Sequence, residues 1–231
     1  LIENKLIVKK LFSLGGLSIL IICFTASCFN EPNLGFPPKI DFDRVEFVEA
    51  GFLDSLIVFI KFEDGDGDLG LTGDETFPPY NPFDFVRDSN GDLITFGSRP
   101  GLPPYNPLDW IINPEINGTV VRDTVLIQTN ENHYNYFVEF LVKQAGGNFT
   151  LFDPRNPPFF QTFNGRFPLL NRTGETRPLA GTLRYGMVSS QFNTLFGNQT
   201  IKLRIQIQDR ALNRSNTIES NEFTLAEVLR D

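Results

Sequence analysis

The sequence predicts an all-β protein built as an antiparallel sandwich, and three observations carry that reading. Apolar residues recur at every second position in several short runs, glycine-centred dipeptides join some of these runs, and no long stretch shows helical spacing with caps. The clearest run is Thr200–Gln208, where Ile201, Leu203, Ile205 and Ile207 alternate with Lys202, Arg204, Gln206 and Gln208. Such a strand buries one face and wets the other.

Asp54–Phe62, Gly118–Gln128 and Tyr136–Lys143 follow the same pattern and are rich in Val, Ile and Phe. Further strands are expected at Lys39–Phe47, Phe83–Val86, Leu93–Phe96, Gly147–Phe152, Thr182–Met187 and Glu222–Leu225. Asn90-Gly91 and Gly146-Gly147 are the expected hairpin turns, since both pairs tolerate positive φ. Many short strands joined this way suit an immunoglobulin-like sandwich. Three proline-rich stretches, about 70–82, 97–114 and 154–178, read as loop insertions because proline cannot donate to a central ladder.

The first 27 residues have the order of an export signal. Lys5, Lys9 and Lys10 precede the apolar run Leu11–Phe24, and small residues lead to Cys28. The apolar run falls short of the roughly 20 residues that a membrane-crossing helix needs. A cleavage region that runs straight into a cysteine resembles a bacterial lipobox, which makes Cys28 the lipidated first residue of the mature chain. Thr25 stands where such motifs usually carry Leu. Residues 28–38 then form a polar, proline-rich tether, and 39–231 a single sandwich domain.

Composition narrows the functional classes. The signal carries a net +2, so removing it from a chain of net −8 leaves −10. That balance disfavours nucleic-acid phosphates and anionic headgroups and favours cation binding. Cys23 lies within the signal, so the processed chain retains Cys28 alone and has no internal disulfide. Its stability must come from an apolar core, which a chain that is 41% hydrophobic can build.

The run Glu63–Gly70, EDGDGDLG, is the strongest chemical motif. Asp64, Asp66 and Asp68, separated by glycines, allow a loop to curl until several oxygens converge, as a hard cation requires. Calcium is the natural candidate, because zinc prefers nitrogen and sulfur ligands and magnesium a tighter, hydrated octahedron. Glu75 occupies the twelfth place of an EF-hand-like spacing and is a further candidate ligand. Leu69 replaces that loop's glycine and the flanks are strand and proline, so the run is no EF-hand. Asp209, in the loop DRALNRSN that ends the best strand, is another candidate, with an Asx turn as the plain alternative.

Two near-identical segments, PPYNPFD at 78–84 and PPYNPLD at 103–109, present Tyr80 and Tyr105 on stiff turns. With the lone tryptophan, Trp110, they form a candidate aromatic platform for a glycan; packing over sheet ends is the alternative. His133 is the only histidine and has no nucleophile motif beside it, so the sequence gives no support for an enzyme.

FEDGDGDLGL at 62–71, GRFPLL at 165–170, PLAGTLRYG at 178–186 and IQIQDRALNRSNTIES at 205–220, together with the lipobox, resemble uncharacterised surface lipoproteins of Bacteroidota. The resemblance implies an outer-membrane location and a sandwich, and it implies no activity. The D-x-A-x-N pattern of Asp209, Ala211 and Asn213 looks like the loop joining the last strands of bacterial immunoglobulin-like domains. The resemblance also raises O-glycosylation at Ser55 and Thr124, each preceded by Asp and followed by an aliphatic residue.

The expectation is therefore a non-catalytic, outward-facing lipoprotein that serves as an interaction or accessory module and is stabilised by calcium. Its expected partners are the membrane, through lipid, and an outer-membrane protein or glycan, with no nucleic acid. The alternative is a glycan-binding module of a polysaccharide capture system.

Overall fold

The computed structural model describes residues 35–98, 105–171 and 173–230, all within one compact unit. Cys28, the expected signal and most of the expected tether lie outside the described residues. Twelve strands follow in chain order: β1 (Lys39–Val48), β2 (Asp54–Asp64), β3 (Phe83–Phe85), β4 (Trp110–Ile112), β5 (Glu115–Ile116), β6 (Thr119–Val120), β7 (Thr124–Thr129), β8 (Tyr136–Lys143), β9 (Phe149–Phe152), β10 (Leu179–Ser189), β11 (Ile201–Ile207) and β12 (Ile218–Glu219). One short helix, α1 (Phe192–Phe196), separates β10 from β11.

Seven of the strands make the sandwich. One sheet has the order β1-β2-β10 and the other β12-β11-β8-β9, with every pairing antiparallel. Sandwich strands one, two and five thus share a sheet, and strands three, four, six and seven share the other. This allotment is that of an immunoglobulin-like sandwich in which the fourth strand has joined the sheet of the third.

The period-two pattern explains the core. Leu56, Val58, Ile60 and Phe62 of β2 face Tyr136, Val138, Phe140 and Val142 of β8 and Ile201, Leu203, Ile205 and Ile207 of β11 within one apolar cluster. Each fully buried aliphatic side chain among them stabilises the fold by about 1.5–3 kcal/mol. At one end α1 plugs the space between the sheets: Phe196 stacks on Phe140 at 4.8 Å and Phe192 stacks on Phe163 at 5.2 Å.

The first insertion leaves from the opposite end, and the second runs from beside α1 toward it. Between β2 and β8 the chain builds a small sheet of order β3-β7-β4 and the two-stranded ribbon β5-β6. Trp110, Val125 and Ile94 are buried there, outside the main cluster. The second excursion, between β9 and β10, forms no strand among its described residues but sends Phe163 and Phe167 into the core. No helix among the described residues is long and apolar enough to cross a membrane.

Several expected elements differ. Gly118–Gln128 is two strands, β6 and β7, interrupted at 121–123; Asn117 and Gly118, both at positive φ, turn β6 back onto β5. Leu93–Phe96 makes only isolated bridges, Leu93 to Arg87 and Thr95 to Val125. Phe223 likewise makes a single bridge, to Ile201, and the last strand is Ile218–Glu219 instead of Glu222–Leu225. The stretch 97–114, expected to be loop, contains β4, an edge strand paired to β7.

Candidate functional site

Strand parity builds the site. In β2 the inward positions run Leu56, Val58, Ile60, Phe62, so the next inward position is Asp64, which is 0% exposed. In β11 they run Ile201, Leu203, Ile205, Ile207, and the next is Asp209, 3% exposed. Both strands run out toward the same end, since Ile207 pairs with Tyr136 at the start of β8 and Asp64 pairs with Leu179 at the start of β10. Two sheets thus each end an apolar row with an aspartate pointing inward.

The loop after β2 closes the cluster. An antiparallel bridge between Leu69 and Asp209 fastens it to the loop after β11. Three backbone bonds tie its other side to the second insertion: Leu71 N–H to Phe167 O, Leu170 N–H to Leu69 O, and Arg177 N–H to Asp66 O. Gly67 and Gly70 have φ of +69° and +102°, and a Cβ at either would overlap the backbone of Arg177 or Pro168.

One carboxylate oxygen from each of Asp64, Asp68 and Asp209 lies within 4.8 Å of the others. Both oxygens of Asp64, and Oδ1 of Asp66 and of Asp68, are buried without a hydrogen-bond partner. Asp68 Oδ2 accepts from the Ala211 N–H at 3.1 Å. Asp209 accepts from the Asn213 N–H at 2.7 Å and from its side-chain amide at 2.8 Å. Among the described residues, no basic side chain forms an ion pair with any of the four.

The electrostatics follow. Burial, then Asp66, Asp68 and Asp209, push the Asp64 carboxyl up to about 7, against a smaller opposing pull from the Asp68 backbone N–H, which does not reach hydrogen-bond geometry. Burial, then the Asp209 and Asp66 charges, push Asp68 up to about 6. Asp209 is also raised by burial, against the opposing bonds of Asn213. Unpartnered carboxylate oxygens held this close are costly as anions and chemically suited to a hard cation with oxygen ligands.

The other expected site residues are placed differently. Glu75 is not among the converging carboxylates: it accepts from the Thr72 N–H and hydroxyl and pairs with Arg210 at 2.5 Å. Tyr80, Tyr105 and Trp110 present no common exposed platform. The Tyr80 hydroxyl is bonded to the Arg210 carbonyl, and Trp110 is only 5% exposed. Tyr105 is exposed and meets Phe96, whose other edge contact is Trp110. His133 lies with Nδ1 3.0 Å from the Tyr80 carbonyl and 3.3 Å from Arg166 Nη1, pinning loops to one another.

Ser55 and Thr124 both lie half-buried in strands, Ser55 between Val48 and Val188 and Thr124 opposite Ile112. The two proline-rich repeats have diverged in use. Asn81 bonds Asp84 within its own copy, whereas Asn106 and Asp109 of the second copy reach Arg155.

The fold and site together define an antiparallel β-sandwich whose insertion-bearing end gathers buried carboxylates. Comparison with protein-family models, curated proteins and solved structures finds no match.

Proposed function

We propose that this protein is a non-catalytic, lipid-anchored module of the outer membrane, outward-facing, whose loop end is held together by a bound calcium ion. The observation that carries the cation is Asp64: a fully buried carboxylate with neither oxygen partnered, facing Asp68 and Asp209. A calcium ion takes six to eight oxygens, and this end offers carboxylates from three loop positions and one strand end. The ion neutralises charge that otherwise opposes docking of the first insertion, the second insertion and the loop after β11.

The experiment is thermal unfolding of the full chain in calcium and in chelator. Calcium raises the midpoint for the wild type, and the rise is lost when Asp66 and Asp68 are both changed to Asn. A midpoint indifferent to calcium and chelator rules the ion out. The anchor is tested separately: Cys28→Ser material leaves the membrane fraction and takes up no labelled fatty acid. Retention of either property by that variant refutes the anchor and leaves the cation reading intact.

A further inference from the structure

We propose a second binding site, independent of the cation cluster: a groove on the outer face of the four-stranded sheet that takes a neutral, hydroxyl-rich ligand, an oligosaccharide chain. The groove has a volume of about 940 Å³ and lies between the outer faces of β8 and β11 and strand β7 of the first insertion. Ligand clefts commonly occupy roughly 300–1,000 Å³.

Its charge pattern selects the ligand class. Three guanidinium groups line it, and each is paired with a carboxylate that also lines it. Arg155 meets Asp109 at 2.6 Å, Arg204 meets Glu139 at 3.0 Å and, outside the lining, Glu219 at 3.0 Å, and Arg214 meets Glu131 at 3.3 Å. Equal numbers of each sign leave the lining itself neutral within a chain of net −8. An anion entering it meets three carboxylates, and a cation meets three guanidiniums. A hydroxyl is suited to both partners, because it accepts from the guanidinium and donates to the carboxylate beside it. Three such donor–acceptor pairs form a surface on which the hydroxyls of successive sugar rings each find both partners.

The walls supply what else a sugar needs. Tyr134 presents a half-buried aromatic ring, the flat apolar surface on which the C–H face of a pyranose rests. Phe137 is unavailable for that role, since the Arg214 guanidinium covers its ring at 3.5 Å. Gln128 stands exposed on the β7 wall with an amide that can both donate and accept. An extended peptide is disfavoured: it binds a sheet by adding to an edge, whereas β8 and β11 are interior strands with both edges already paired.

The test is affinity electrophoresis of the full chain in detergent, through gels holding a β-glucan, a xylan, a galactomannan or, as an anionic control, polygalacturonate. At least one neutral polymer is expected to retard the wild type, and Tyr134→Ala to weaken that retardation at least tenfold at unchanged melting temperature. Should Tyr134→Ala unfold, Gln128→Ala on the exposed wall decides instead, with at least threefold weaker retardation expected. The proposal is overturned if no neutral polymer retards the protein, if polygalacturonate alone does, if the folded variants bind as the wild type does, or if an immobilised peptide library is captured through these residues instead.

Discussion

Asp64 sets the electrostatics of the loop end. Its carboxyl titrates at about 7 in the folded chain against 3.8 for the free group, so between those values the folded state binds more protons than the unfolded one. Stability in chelator therefore falls as pH rises from about 4 to about 7, by an amount on the order of a few kcal/mol. The midpoint in chelator should be higher at pH 5 than at pH 7.5, and saturating calcium, which binds the deprotonated form, should flatten or invert that slope. A midpoint in chelator that rises with pH over this window contradicts the account. Asp64→Asn should raise the chelator midpoint at pH 7.5 and abolish the calcium response. Glu75→Gln should leave the calcium response intact, because Glu75 serves Thr72 and Arg210, and should lower stability by only about 0.5–1.5 kcal/mol.

The same residues show how far side-chain chemistry was legible in the chain. Asp64, Asp68 and Asp209 could be nominated because acids alternating with glycine, and an acid ending a well-patterned strand, are local signals. Glu75 was nominated by counting along an EF-hand-like spacing, yet the chain turns at Thr72 and returns that side chain to Arg210. Trp110 could not be told from a ligand platform, because its burial depends on Phe96 and on the register with β7. The groove pairs were invisible: the carboxylates that line the groove beside Arg155, Arg204 and Arg214 lie 46, 65 and 83 residues away in the chain.

At the scale of the element, legibility tracked length. Strands β8 and β11 could be read from alternation alone, since eight and seven residues with one apolar face leave no other register. Strands of two or three residues carry little period of their own, so β4, β5 and β12 were not foreseen and β6 was merged with β7 into one run, although Asn117-Gly118 held the turn signal between β5 and β6. Three-residue β3 was legible because Asn90-Gly91 marks the turn after it. Helix α1 has five residues and no side-chain cap, too few for a helical stripe to show. Two substitutions test the elements. Leu203→Ala in the middle of β11 should cost about 2–5 kcal/mol in denaturant unfolding. Gly70→Ala forces a side chain against the Pro168 carbonyl at positive φ, and should reduce both stability and calcium response, since it separates the acidic loop from the second insertion.

For the molecule as a whole, the two cores imply two levels of stability. The sandwich cluster joins both sheets, α1 and the second insertion, whereas Trp110, Val125 and Ile94 belong to the first insertion alone. Hydrogen exchange should accordingly show β2, β8 and β11 protected to the global limit and β3, β4 and β7 exchanging sooner through local opening. Uniform protection across both sets would mean that the insertion is welded to the sandwich more firmly than its packing indicates.

Strand β1 begins at Lys39 opposite Glu63, one residue from Asp64, while Arg230 near the carboxyl terminus donates to Phe47 at that strand's far end. The polypeptide accordingly enters the sandwich among the loops and leaves it beyond α1. A chain moored through residues that precede Lys39 turns its carboxylate pole toward the mooring and points its carboxyl-terminal turn away. Ions concentrated near a charged surface would then meet the end of the molecule that is proposed to hold one.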